Sequence, residues 1–103
     1  MNTLANFLTY LQNKVFKLLP MREAYDNGEN NYLCEYLDNL YINYFGTLHR
    51  YPELKDRKEL IEVQNNIAYL KENQTIDFRI WRSTVLRSTR LLNSVASDFA
   101  KEV

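Results

Sequence analysis

The run IDFRIWRSTVLRSTRLLNSVASDFA, residues 76–100, decides the fold. It contains neither glycine nor proline, and its apolar residues recur at helical steps. At about 100° per residue, Phe78, Trp81, Val85, Leu92, Ala96 and Phe99 share one side, with Ser88 in the same stripe. That periodicity predicts one long amphipathic helix from about Ile76 to Ala100. The opposite side carries Arg79, Arg82, Arg87 and Arg90, extended by Lys101, and no acid lies between Asp77 and Asp98.

Upstream, the polar stretch KENQT (71–75) reads as a short turn. Before it, Leu60, Val63, Ile67 and Leu70 line one face of another helix, with EVQNN (62–66) on its wet side. Asp56 and Glu59 read as the capping pair of that helix. Pro52 disfavours helical geometry at Tyr51, so a further helix stops there. Its main stripe is Leu33, Leu37, Leu40, Tyr44, Leu48 and Tyr51. Cys34, Tyr41 and Phe45 widen that stripe toward a second neighbour, and Asn30 or Asn31 supplies the cap. In the first segment Thr3 is the cap, and Leu4, Phe7, Leu8, Leu11, Val15 and Leu18 form the stripe. Pro20 ends or kinks it, and PMREAYDNG (20–28) adds a turn or two, closed by Gly28 after Asn27.

Four amphipathic segments with short connections predict an all-α fold, an antiparallel four-helix up-and-down bundle. If Pro20 splits the first segment, the bundle has five helices. With 103 residues, one domain over 1–103 is expected. A hydrophobic fraction of 46% beside 25% charged residues is globular composition, not that of a disordered tail. A single cysteine excludes an intramolecular disulfide, and no apolar run is long enough to span a membrane. The opening residues MNTLANFLTYLQNKVFKLL lack an early positive region and a small-residue cleavage site, so a cytoplasmic protein is expected. Twelve Asn and eight Tyr, both with AT-rich codons, hint at a low-GC bacterium or its phage.

The residues point away from catalysis. His49 is the only histidine, and it stands 15 residues from Cys34 on one predicted helix, roughly 22 Å along the axis. No phosphate loop, nucleophile elbow or zinc spacing is present, so neither a catalytic site nor a metal or cofactor is expected. Cys34 reads as a small buried side chain. His49 reads as a complement to the dipole at a helix end.

The arginines carry the functional expectation. Solvated helix faces usually mix charge signs, whereas this one is purely cationic around the apolar Leu86. That pattern matches an interface centre with a charged rim. The partner-binding candidates are Arg79, Arg82, Leu86, Arg87 and Arg90, with Tyr32 and Tyr36 as a second edge. Residues 22–38 hold Glu23, Asp26, Glu29, Glu35 and Asp38 against only Arg22. The arginines therefore either meet those acids within the chain, meet them across a homodimer, or face another molecule. A protein partner is the first expectation, bound and modulated by a small non-enzymatic regulator or inhibitor. Nucleic acid is the alternative, and a net charge of zero argues against it.

In size and inferred architecture the chain resembles two groups. One is the small helical-bundle immunity proteins that protect lactic acid bacteria from their own bacteriocins. The other is the small helical proteins by which phages and mobile elements of low-GC bacteria redirect host machinery. The first group is typically lysine-rich and basic, unlike this neutral chain. Neither resemblance carries a motif, so neither transfers a site residue.

Overall fold

The computed structural model describes residues 3–29 and 31–101. Its elements are α1 (Thr3–Phe16), α2 (Leu18–Asp26), α3 (Leu33–Arg50), one 3-10 turn (Pro52–Leu54), α4 (Lys58–Glu72) and α5 (Phe78–Ala100). The chain is all-α, with no strand among the described residues.

Helices α1 and α2 form one kinked rod, and the kink sits at Lys17 rather than at Pro20. Pro20 has no N–H to give the Phe16 carbonyl, and its ring crowds that carbonyl, so regular geometry fails one turn earlier. As the third residue of α2, Pro20 falls where helical N–H groups have no partner in any case. Lys17 keeps helical angles (φ −62°, ψ −15°). Its N–H bonds the Asn13 carbonyl at 3.2 Å, and its own carbonyl accepts from Met21 N–H at 3.2 Å, bridging the joint. The rod ends as expected at Gly28, whose φ of +75° suits a residue without a side chain. Gly28 N–H bonds Tyr25 O and Glu29 N–H bonds Ala24 O, the paired closure of a Schellman motif.

The other helix starts depart from expectation in detail. Thr3 is the first helical residue of α1. Helix α3 begins at Leu33 with no side-chain cap, so Asn31 lies one residue too far out, and Asn30 lies outside the described residues. Asp56 does not cap α4 either. Arg57 takes the cap position, and its guanidinium bonds Glu59 at 3.0 Å and Asp98 at 2.8 Å. The cap of α5 is Asp77, whose carboxylate accepts from the Arg79 N–H at 2.8 Å. Tyr51 is extended before Pro52, which stops α3 at Arg50.

The core follows the stripes. Val15, Leu37, Tyr44, Val63, Trp81 and Leu92 are wholly buried. Cys34 is a correction: it is exposed, as is Phe45. Helix α3 does meet more than one neighbour, touching α1 and α2 as well as α4. Of its wider stripe, Tyr41 packs against the core while stacking on Phe45 at 6.5 Å, with Phe45 on His49 at 6.1 Å.

Three seams join the rods. The main contacts run from α1 to α5, from α5 to α4 and from α4 to α3. Between α4 and α5, Glu62 pairs with Arg87, Arg57 with Asp98, and Asn66 donates to Ser88 Oγ at 3.1 Å. Between α3 and α4, the buried Tyr44 hydroxyl donates to Leu60 O at 2.9 Å, and Lys71 pairs with Asp38 at 3.3 Å. Trp81 fastens α5 to the kinked rod by donating from Nε1 to Leu18 O at 3.0 Å. Arg22, buried beside it, lies 5.1 Å over the indole while bonding Asp26 and the Ile76 carbonyl. Helices α1 and α3 touch far less, and they flank the remaining side.

Candidate interaction surfaces

Helix α5 turns its buried stripe inward from Trp81 to Phe99, which sends the steps Arg79, Ser83, Leu86 and Arg90 outward. The arginines differ in what holds them. Arg79 is almost fully exposed and reaches only its own cap, with Nε 3.4 Å from Asp77. The Arg79 backbone N–H, then its side chain, hold the Asp77 carboxyl below the usual range. Arg87 is tied to Glu62 on α4, which lowers the Glu62 carboxyl and raises the guanidinium. Arg82 and Arg90 are exposed, and no ion pair holds either among the described residues. Leu86 is half-buried among them, and Ile80 on the flank is 49% exposed.

The acids of residues 22–38 do not meet these arginines in the described chain: Asp26 pairs with Arg22 and Asp38 with Lys71. The tyrosines lie on another helix. Tyr32 precedes α3 and is exposed, whereas Tyr36 donates its hydroxyl to the Lys14 carbonyl of α1 at 2.6 Å. Burial, with Tyr10 nearby, pushes the Tyr36 phenol up to about 12. Tyr36 is therefore part of the contact between α1 and α3.

A second surface was not apparent from the sequence. Between α1 and α3 the side of the bundle opens into a groove of about 810 Å³. Phe7, Tyr10 and Leu11 on α1 face Ile42, Asn43 and Gly46 on α3 across it. Arg50 lies at one end. A narrower section of about 70 Å³ continues from Tyr10, Leu11 and Asn43 to Lys14, Tyr36 and Asn39. The Tyr36–Lys14 hydrogen bond closes that end, and Phe7 meets Tyr51 at 6.0 Å near the other. Large apolar groups stand open on the walls, with Tyr10 55% and Ile42 65% exposed. A sequence signal existed. Asn39, Asn43, Gly46 and Arg50 recur at helical steps, a polar stripe with a glycine inside a helix.

No group of three or more His, Cys, Asp or Glu among the described residues is placed to hold a metal ion. His49 stacks on Phe45 at the end of α3, and Cys34 stands at the start of the same helix. No described helix is long and apolar enough to cross a membrane. No protein-family model, curated protein or solved structure matches the chain.

Proposed function

We propose that this chain is a non-enzymatic interaction protein that occupies an acidic surface of a partner protein through the outer arginines of α5. The helices, in this reading, run as an antiparallel up-and-down bundle that displays that face. Support for the arrangement comes from the seams, where partners ascend on one helix as they descend on the next. Asp38 meets Lys71 while Tyr44 meets Leu60, and Arg57 meets Asp98 while Glu62 meets Arg87.

One observation carries the reading: Arg82 and Arg90 stand exposed on a firmly seated helix, without an ion pair among the described residues. A cation that already has an intramolecular partner gains little from an external acid, whereas a free guanidinium can take a carboxylate on two parallel N–H groups. Half-buried Leu86 adds apolar contact between them, and Trp81 holds the helix against α2. Such a face needs no rearrangement to bind.

The test is Arg82→Glu combined with Arg90→Glu. Exposed charges contribute about 0–1 kcal/mol each to folding, so the variant stays helical by circular dichroism. Affinity capture from a low-GC bacterial lysate should then lose whatever the wild-type chain retains. Identical capture by the two proteins defeats the reading. Retention of duplex DNA by the wild type, falling steeply with salt in gel shifts, replaces it with nucleic-acid binding.

A further inference from the structure

Gly46 has no reason within the fold to be glycine. Its φ is not positive, and a Cβ built there would meet no atom within 4 Å. Inside α3 such a residue costs about 1 kcal/mol relative to alanine. What its missing side chain does is leave the middle of the groove wall bare, between Asn43 and Arg50. Bare backbone of that kind lets another chain approach closely.

We propose that the groove between α1 and α3 receives an amphipathic helix of a partner protein, seated over about two turns, with acidic residues near both ends. Three observations fit that occupant. The walls of the wide section run from Thr3 to Leu11 on one helix and from Ile42 to Arg50 on the other. Each span covers eight steps, roughly 12 Å, or about two helical turns. The floor and walls offer Phe7, Leu11, Tyr10 and Ile42 to an apolar stripe, the last two more than half exposed. The ends offer Arg50 and Lys14, and no acid lines either section.

The same charges argue against a second copy of this chain. An isologous contact through the groove would bring the cations of one copy against those of the other. An acid-flanked helix meets them with the opposite sign. The site is separate from the arginine face of α5 and extends the proposed function to a second surface.

The probe is a fluorescein-labelled amphipathic peptide of about fifteen residues, with leucines on one helical stripe and two glutamates at each end. Fluorescence anisotropy with the full chain should show saturable binding. Ile42→Asp, on an exposed wall residue, should weaken it at least about tenfold with circular dichroism unchanged. Gly46→Leu fills the opening and should do the same; if that variant fails to fold, Ile42→Asp alone decides. Lys14→Glu with Arg50→Glu should reverse the preference toward a matched peptide with lysines at both ends. No saturation up to about 1 mM overturns the proposal. So does equal binding of glutamate- and lysine-ended peptides by the wild type, or loss of binding in the Arg82→Glu, Arg90→Glu protein instead. A dimer or a vesicle complex broken by Ile42→Asp, without peptide binding, assigns the groove to self-association or to lipid and overturns it as well.

Discussion

The seams around α4 and the gap between α1 and α3 are both bordered by amphipathic helix faces, yet only the first set closes. Helix α4 presents Glu62 to Arg87 and Lys71 to Asp38, so opposite charges flank an apolar seam on either side. Buried Tyr44 and the Asn66–Ser88 pair add directed hydrogen bonds beneath them. Across the gap the long charged side chains are Lys14 and Arg50, of one sign, and the remaining polar groups are short amides and hydroxyls, of which Thr47 bonds within its own helix. Gly46 leaves the α3 wall without a side chain midway along it. Closure therefore depends on what flanks an apolar stripe as well as on the stripe itself.

The largest test of the closed side is Trp81→Ala. Trp81 is wholly buried, carries the Arg22 guanidinium on its ring and bonds Leu18 O. Truncation should cost about 3–5 kcal/mol, comparable to the stability of a domain this size. Chemical denaturation placing the variant within about 1 kcal/mol of wild type would remove Trp81 from its role as the anchor of α5.

Next in size is Tyr44→Phe, which keeps the ring and deletes the hydroxyl that reaches Leu60 O. It leaves that carbonyl its second lone pair within α4, so the expected loss is about 1 kcal/mol. Denaturation midpoints read it directly. No measurable loss would mean that packing alone closes the seam between α3 and α4.

How much of this was legible beforehand follows the same division. The stripe of α5, the stop at Pro52 and the cap at Gly28 depend on local geometry, and each is visible in the sequence. Pro20 signals a kink correctly but not its position, because the clash falls on the carbonyl four residues earlier. Cys34 reads as buried because its stripe is apolar, whereas burial also requires cover, and Cys34 stands exposed at the start of α3. The groove is of the same kind. Each wall has a readable period, but which helices flank the open side is decided by the order of rods around the core. The arginines are legible as a cationic face, and only the structure shows that Arg87 is held by Glu62 while Arg82 and Arg90 are not.

The open side yields a prediction of opposite sign. Gly46→Ala adds a methyl group where nothing stands within 4 Å and lowers the freedom of the unfolded chain. It should stabilise the protein by about 0.5–1 kcal/mol, seen as a raised denaturation midpoint. Destabilisation would mean that the groove wall is closer packed than its open space implies.

The smallest effect belongs to the hydrogen bond from the Tyr36 side chain to the α1 backbone at the groove's narrow end. Tyr36→Phe removes the donor to the Lys14 carbonyl at a partly solvated position, so near neutral pH it should cost less than Tyr44→Phe, below about 0.5 kcal/mol. Its pH dependence is the sharper signature. Folding pushes the Tyr36 phenol up to about 12 from an ordinary value of 10.0, because burial disfavours the phenolate. The folded chain thus holds this proton more tightly than the unfolded chain does. The stabilisation is complete below pH 10.0 and declines as pH rises from there toward about 12. Burial raises Tyr44 as well, so the wild type and Tyr36→Phe both weaken in alkali, and the difference between them isolates Tyr36. That difference should hold up to about pH 8, then fall and change sign by about pH 11. A difference that stays constant across this range would mean that the Tyr36 hydroxyl is as free to ionise in the folded chain as in the unfolded one, and the narrow end of the groove would then be as open as the wide one.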